Sequence, residues 1–182
     1  MKPKSTEQQL LQRLQEGDRK AQRELYDRFA PLAMAQAMRY VADRQTACDV
    51  LQESFVKILT AVGHFQYRGE GALRGWVLSI VTHEAVDWLR HNRRMLFTDT
   101  VPDNLPDEDP DVEGLPMEVL QHMIEQLPDG YRTVFCLFVF DRKSHKEIAQ
   151  LLGIKENSSA SQFLRAKRLL VRMINDYQRQ QQ

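Results

Sequence analysis

The sequence predicts an all-α protein of two small helical domains joined by an acidic, proline-rich linker. Three observations carry that expectation. Apolar residues recur at three- and four-residue spacings in both halves, and strand-like alternation is absent. Glycines gather at a few breaks, at 17, 63, 69 to 75, 130 and 153, and so punctuate the periodic runs. Between the halves, residues 98–115 hold seven acidic side chains and no basic one, and four prolines fall within 98–116. Proline and like charges keep such a segment extended and flexible. The 182 residues therefore divide into 1–97, 98–115 and 116–182.

The elements follow in order. The opening MKPKSTEQQLLQRLQEGD lacks the apolar core of a signal peptide and reads as the start of a helix, expected over about 5–15. A longer helix is expected over about 19–42 and a third over about 46–61. In the third, Cys48, Leu51, Phe55, Ile58 and Leu59 form the inward stripe, with Thr46 as cap and Asp49 near the helix N-terminus. Asp49, Gln52 and Glu53 fall on the opposite face, followed by Val56. A fourth helix is expected over about 72–93, with Leu73, Trp76, Val77, Ile80, Val81 and Trp88 turned inward. Its opposite stripe is Ser79, His83, Asp87, Arg90 and Arg94. Glu84 falls among the apolar positions, where periodicity alone gives it no partner.

Beyond the linker, helices are expected over about 116–126, 130–140, 144–151 and 158–177. Ser144 and Glu147 have the spacing of a capping box, and Gly153 ends the short helix they begin. The turn through Ile154 to Asn157 then leads into a longer helix, the outline of a helix-turn-helix. In that longer helix Phe163, Ala166, Leu170, Met173, Ile174 and Tyr177 are expected inward. Ser158, Ser161, Arg165, Arg168 and Arg172 are expected outward, flanked by Gln162. Hydroxyls near a helix N-terminus followed by arginines suit entry into a major groove, where Ser and Gln reach base edges and Arg takes guanine or phosphate. A basic helix with no ligand would show the same pattern.

Composition narrows the function further. With 42% apolar and 27% charged residues the chain is ordinarily globular, and no apolar run nears the ~20 residues that span a bilayer. Cys48 and Cys136 lie far apart in apolar stretches and read as buried thiols of a cytoplasmic protein. Lys and Arg number 25 against 25 Asp and Glu, so bulk charge does not hold nucleic acid unaided. The balance is local: from Tyr131 onward ten basic residues face four acidic ones. His83, Glu84 and Asp87 come within one residue of a zinc-protease signature, but no third ligand stands at a persuasive spacing. Asp87 one turn from His83 more simply pairs with it. No catalytic constellation, metal or other cofactor is expected.

Read together, these segments resemble the extracytoplasmic-function (ECF) sigma factors, the smallest initiation factors of the bacterial sigma-70 type. The resemblance rests on an ordered series spanning nearly the whole chain: LQRLQEGDRKAQRELYDRFAPLA, ACDVLQESFVKIL, FQYRGEGALRGWVLSIVTHEAVDWLRHNRR, LPDGYRTVFCLFVFDRKSHKEIAQLLGI and SSASQFLRAKRLL. It implies sigma region 2 before the linker and region 4 after it. It implies that Asp49, Gln52 and Glu53 dock on the clamp helices of the polymerase β′ subunit, and that region 4 meets the β flap. Residues 69–76 and the helix after them, with Ser79, His83, Asp87, Arg90 and Arg94, would open the −10 promoter element and capture an unstacked base. Ser158, Ser161, Gln162, Arg165, Arg168 and Arg172 would read the −35 element. An anti-sigma factor is the further partner implied. The chain departs from the family at His83, where Asn is usual, at Ser79, where Arg is common, and at Ala160 and Gln162, often basic in relatives. The alternative, a free-standing helix-turn-helix regulator, explains residues 130–177 but leaves the 46–95 helices without a task.

Overall fold

The structure, a computed structural model, describes residues 6–92 and 114–181. Arg94 and the linker residues up to 113 lie outside the described residues. Among those described there are eight α-helices and no strand, as the all-α expectation requires. The chain divides into two compact units, Met1–Trp88 and Leu89–Gln182.

The first unit is built from α1 (Glu7–Gln15), α2 (Arg19–Tyr40), α3 (Arg44–Ala61), a 3-10 turn (Val62–His64) and α4 (Ala72–His91). Each helix turns one apolar stripe inward. α1 contributes Leu10, Leu11 and Leu14; α2 contributes Ala21, Leu25, Phe29, Ala33, Ala37 and Tyr40, almost all at four-residue steps. Small residues alternate with Phe29 and Tyr40 along α2, so neighbouring helices can approach closely and still fill the space. α3 adds Val50, Leu51, Phe55 and Ile58, and α4 adds Leu73, Val77, Val81 and Ala85. A polar link crosses this core: the buried Gln36 Nε2 donates to Thr82 Oγ1 at 2.8 Å, joining α2 to α4. An amide buried with its partner is stabilising, whereas the same group left alone would cost free energy.

α3 begins differently from the sequence expectation. Its cap is Asp43, whose Oδ2 accepts from Thr46 N at 2.8 Å and from Thr46 Oγ1 at 2.7 Å. Thr46 is therefore inside the helix and buried, not the cap, and Asp49 lies in the second turn. Asp precedes the helix by the one residue that lets its carboxylate reach back over the free N–H groups.

The second unit contains α5 (Met117–Glu125), α6 (Asp129–Val139), α7 (His145–Leu152) and α8 (Glu156–Gln180). Leu127, Tyr131, Val134, Leu137, Ile148, Leu152, Ala166, Leu170 and Ile174 make its core. Arg132 is 3% exposed and bonds to backbone and side-chain oxygens: Nη1 donates to the Glu125 carbonyl at 2.9 Å while Nη2 pairs with Asp129 Oδ1 at 2.6 Å. The guanidinium thus satisfies an orphan carbonyl at the end of α5.

α7 has both ends sealed. Ser144 Oγ and Ser144 N donate to Glu147 Oε2 at 2.7 and 2.8 Å, and Glu147 N donates back to Ser144 Oγ at 3.3 Å. At the other end Gly153 is left-handed, φ 68°, and its N–H closes on the Ala149 carbonyl. The Ser144 hydroxyl, and after it the Ser144 amide, hold the Glu147 carboxyl below its ordinary range. A carboxyl depressed by folding adds stability above its unfolded pKa, and that stability disappears as pH falls through the folded value. Acid titration of unfolding should therefore show Glu147→Gln removing part of the low-pH loss seen in the parent chain. A Cβ at Gly153 meets no atom nearer than 3.9 Å, so Gly153→Ala should cost only the left-handed conformation, about 1–2 kcal/mol in urea unfolding of the second unit.

Candidate functional site

Three exposed faces collect the residues expected to act. On α3, Asp49, Gln52, Glu53 and Val56 are all exposed, at spacings that stack them on one side of the helix. Val56 is 61% exposed, large for a valine with no solvent chemistry of its own. Leu59, expected in the core, is 38% exposed and extends this same face; Ser54 occupies the buried position instead, its Oγ bonded to the Val50 carbonyl at 2.7 Å. The reason is phase. Residues 51, 54, 55 and 58 define the inward line, and 59 falls beside 52 and 56. The face thus runs from acidic and amide groups at one end to aliphatic ones at the other. Beside it, Tyr26 is exposed on α2 and packs on Phe55, ring centroids 4.7 Å apart.

α3 and α4 are joined by the ion pair of Lys57 and Glu84. This gives Glu84 the partner that periodicity could not supply. The hydrogen bond to Glu84 raises the Lys57 pKa against the opposing effect of burial, and the charges of Glu84, Asp87 and Glu53 add attraction.

On α4, Ser79 and His83 are exposed, Asp87 is half-buried and Arg90 is exposed. Four of the five residues expected on this stripe are therefore on the described surface, and Arg94 lies outside it. Ser79 Oγ is turned back onto the Trp76 carbonyl at 2.8 Å, as short hydroxyls on helices commonly are. Trp76, Ile80 and Trp88, expected inside, are only half-buried. Trp76 instead packs against Phe65, ring centroids 4.9 Å apart and tilted by 37°. These two rings form part of the wall of a hollow of about 540 Å³, with Ala61, His64 and Arg68 also lining it. His64, Phe65 and Arg68 were missed by sequence reasoning, because the 3-10 turn that ends at His64 and the loop that follows it have no periodic signal. The hollow combines flat apolar walls with cationic and imidazole groups, which suits an unstacked base and its phosphate. Among the described residues no group of three or more His, Cys, Asp or Glu could hold a metal ion.

On α8 the expected outward face is partly corrected. The helix begins at Glu156, so Asn157 and Ser158 belong to its first turn. Ser161 and Arg172 are exposed; Ser158, Arg165 and Arg168 are half-buried; Arg172 lies 3.9 Å from Asp176. Gln162 is 5% exposed, so it cannot reach a base edge. It falls on the line of Ser159, Ala166, Leu170 and Ile174, all buried, which at three- and four-residue steps is the inward stripe. Over the first three turns of α8 the exposed positions are Glu156, Asn157, Ala160, Ser161 and Leu164, the last 38% exposed. Continuing the phase back from Arg168 and Arg172 would have found Leu164. The start of α8 is held by α7: His145 Nδ1 lies 3.0 Å from the buried Ser159 Oγ, and the ring stacks on Phe138 at 4.7 Å. That contact sets how the N-terminal turn of α8 is presented.

The family model for Sigma-70 region 2 matches residues 25–95, and that for Sigma-70, region 4 matches residues 117–170. The RNA polymerase sigma-H factor of Pseudomonas aeruginosa is 30% identical over 88% of this chain and 90% of its own. The ECF RNA polymerase sigma-E factor of Haemophilus influenzae is 30% identical over 91% and 93%. A solved chain of the RsbN–BldN complex aligns over 90% of this chain and 98% of its own, at 20% identity and a TM-score of 0.39.

Proposed function

The chain belongs to the sigma-70 family as an ECF sigma factor, a transcription initiation factor, and from that premise we propose how its exposed faces divide the work. The α3 face of Asp49, Gln52, Glu53 and Val56 docks on the polymerase core, at the clamp helices of β′. The hollow walled by Phe65 and Trp76 takes an unstacked base of the −10 element, with His83 further along α4 selecting among bases. Arg90 and Arg94 hold backbone phosphates. The second unit meets the β flap and directs the start of α8 into the −35 major groove. There Ser158 and Ser161 reach base edges and Arg165, Arg168 and Arg172 take guanine or phosphate. Leu164 replaces Gln162 in this set, offering an aliphatic surface to a thymine methyl.

The observation that carries the reading is the α3 face. Four consecutive outward positions, one of them a valine 61% exposed, take no part in the packing of the first unit. A free-standing regulator has no use for such a face, and a factor that works on polymerase needs it. Zero net charge fits the same division, since core polymerase supplies the bulk of the DNA affinity and the factor supplies local basic groups. An anti-sigma factor that covered these faces would silence the protein, and the site of action is the cytoplasm, with the polymerase.

Gln52→Ala with Glu53→Ala should weaken binding to core polymerase about tenfold or more, with the melting temperature unchanged because both side chains are exposed. Undiminished core affinity would overturn the docking assignment, and operator binding without core would favour the regulator. His83→Asn should shift base preference at one −10 position in a randomised-promoter selection while leaving core affinity as it is. An unchanged profile would remove His83 from the reading set.

A further inference from the structure

We propose that α1 is a clamp for the base-capture segment, with Glu7 and Gln15 acting as positioning residues; the functional half of this inference rests on reading the Phe65–Trp76 hollow as the −10 site. The segment from Phe65 to Leu73 leaves the 3-10 turn, forms part of the hollow and enters α4. Its middle is exposed at Gln66, Arg68, Glu70 and Gly71. Its two ends are each held by the same helix. Gln15 Nε2, at the last residue of α1, donates to the Phe65 carbonyl at 3.0 Å. Glu7 Oε2, at the first residue of α1, accepts from Leu73 N at 3.2 Å. The partners are 50 and 66 residues apart in sequence, so both are tertiary fasteners.

Glu7 is the stronger of the two by chemistry. It is 6% exposed, a buried carboxylate directed at one of the free N–H groups in the first turn of α4. It therefore does for α4 what an N-cap residue does, from a different helix, and its charge also stands at the N-terminus of α1 itself. Both fasteners grip main chain, so they fix the path of the segment whatever side chains it carries. The clamp has a firm base. Leu10, Leu11 and Leu14 are buried on the same side of α1 as Glu7, and Arg13 ties the helix to α2 through Asp18 at 2.9 Å and Glu24 at 2.8 Å. Nothing in α1 belongs to the α3 docking face, so the clamp separates base capture from polymerase binding.

The test uses the full chain and the holoenzyme it forms. Hydrogen exchange over 65–73 is measured for the parent chain, Glu7→Ala, Gln15→Ala and Glu7→Gln. Permanganate reactivity of thymines is then followed at a promoter mapped with the parent holoenzyme. Either alanine variant should speed exchange across 65–73 and lower promoter opening about threefold to tenfold, with core affinity unchanged. Glu7→Gln retains an oxygen that can accept the Leu73 N–H, so it should recover most of both. Unchanged exchange in both alanine variants would overturn the clamp, as would faster exchange with undiminished opening, or no recovery with Gln. Should the parent holoenzyme leave −10 thymines unreactive, the assignment of the hollow falls, and the exchange measurement alone then decides whether α1 holds the segment.

Discussion

Leu51, Ser54, Phe55 and Ile58 commit one side of α3 to the interior of the first unit, and a helix that buries one stripe must present the other. Asp49, Gln52, Glu53 and Val56 are turned to solvent by that packing alone, and Leu59 goes with them. The same constraint governs α4, where Val77, Val81 and Ala85 inward place Ser79 and His83 outward. It governs α8 too, where Ser159, Gln162, Ala166 and Leu170 inward leave Ala160, Ser161 and Leu164 exposed. Each of these exposed faces is the complement of a core stripe. A substitution that rotated one of these helices by a single position would move its face as well as its packing.

Polar fasteners refine what the apolar stripes begin. Hydrophobic burial is non-directional and tolerates small rotations and slides, whereas hydrogen bonds fix position at particular atoms. Gln36 with Thr82, Lys57 with Glu84, Glu7 with the Leu73 amide and His145 with Ser159 each join elements distant in the chain or on opposite sides of a turn. Three of them bear on α4 and one on the first turn of α8, the elements proposed to face DNA. The ion pair itself adds little stability, since Lys57 is well exposed and such pairs contribute modestly. Their effect is to give the surfaces a defined shape.

Much of the fold was legible in the sequence because helical periodicity and end signals agree. The capping box of Ser144 and Glu147 and the left-handed Gly153 both appear where spacing put them. The errors share a cause. Asp43 and Thr46 are both good capping residues, and choosing between them requires knowing where the helix axis begins. Gln162 and Leu59 lie on the borders of their stripes, where polarity suggested one side and packing imposed the other. Gln162 is polar yet inward, and Leu164 apolar yet outward. Glu84 and Glu7 could not be placed at all from local pattern, since their partners stand 27 and 66 residues away. The hollow beside Trp76 was hidden for a related reason, its walls coming from a 3-10 turn, a loop and a helix.

The central claim is that the α3 face and the DNA-facing helices belong to one mechanism that operates only on polymerase. Transcription in vitro on genomic DNA, with core polymerase and the purified protein, followed by sequencing of the start sites, addresses it most directly. A set of starts that requires both components, preceded by two shared sequence elements at a constant separation, is the predicted result. Starts that core polymerase makes equally well alone, or promoters the protein binds as tightly without core as with it, would contradict the account.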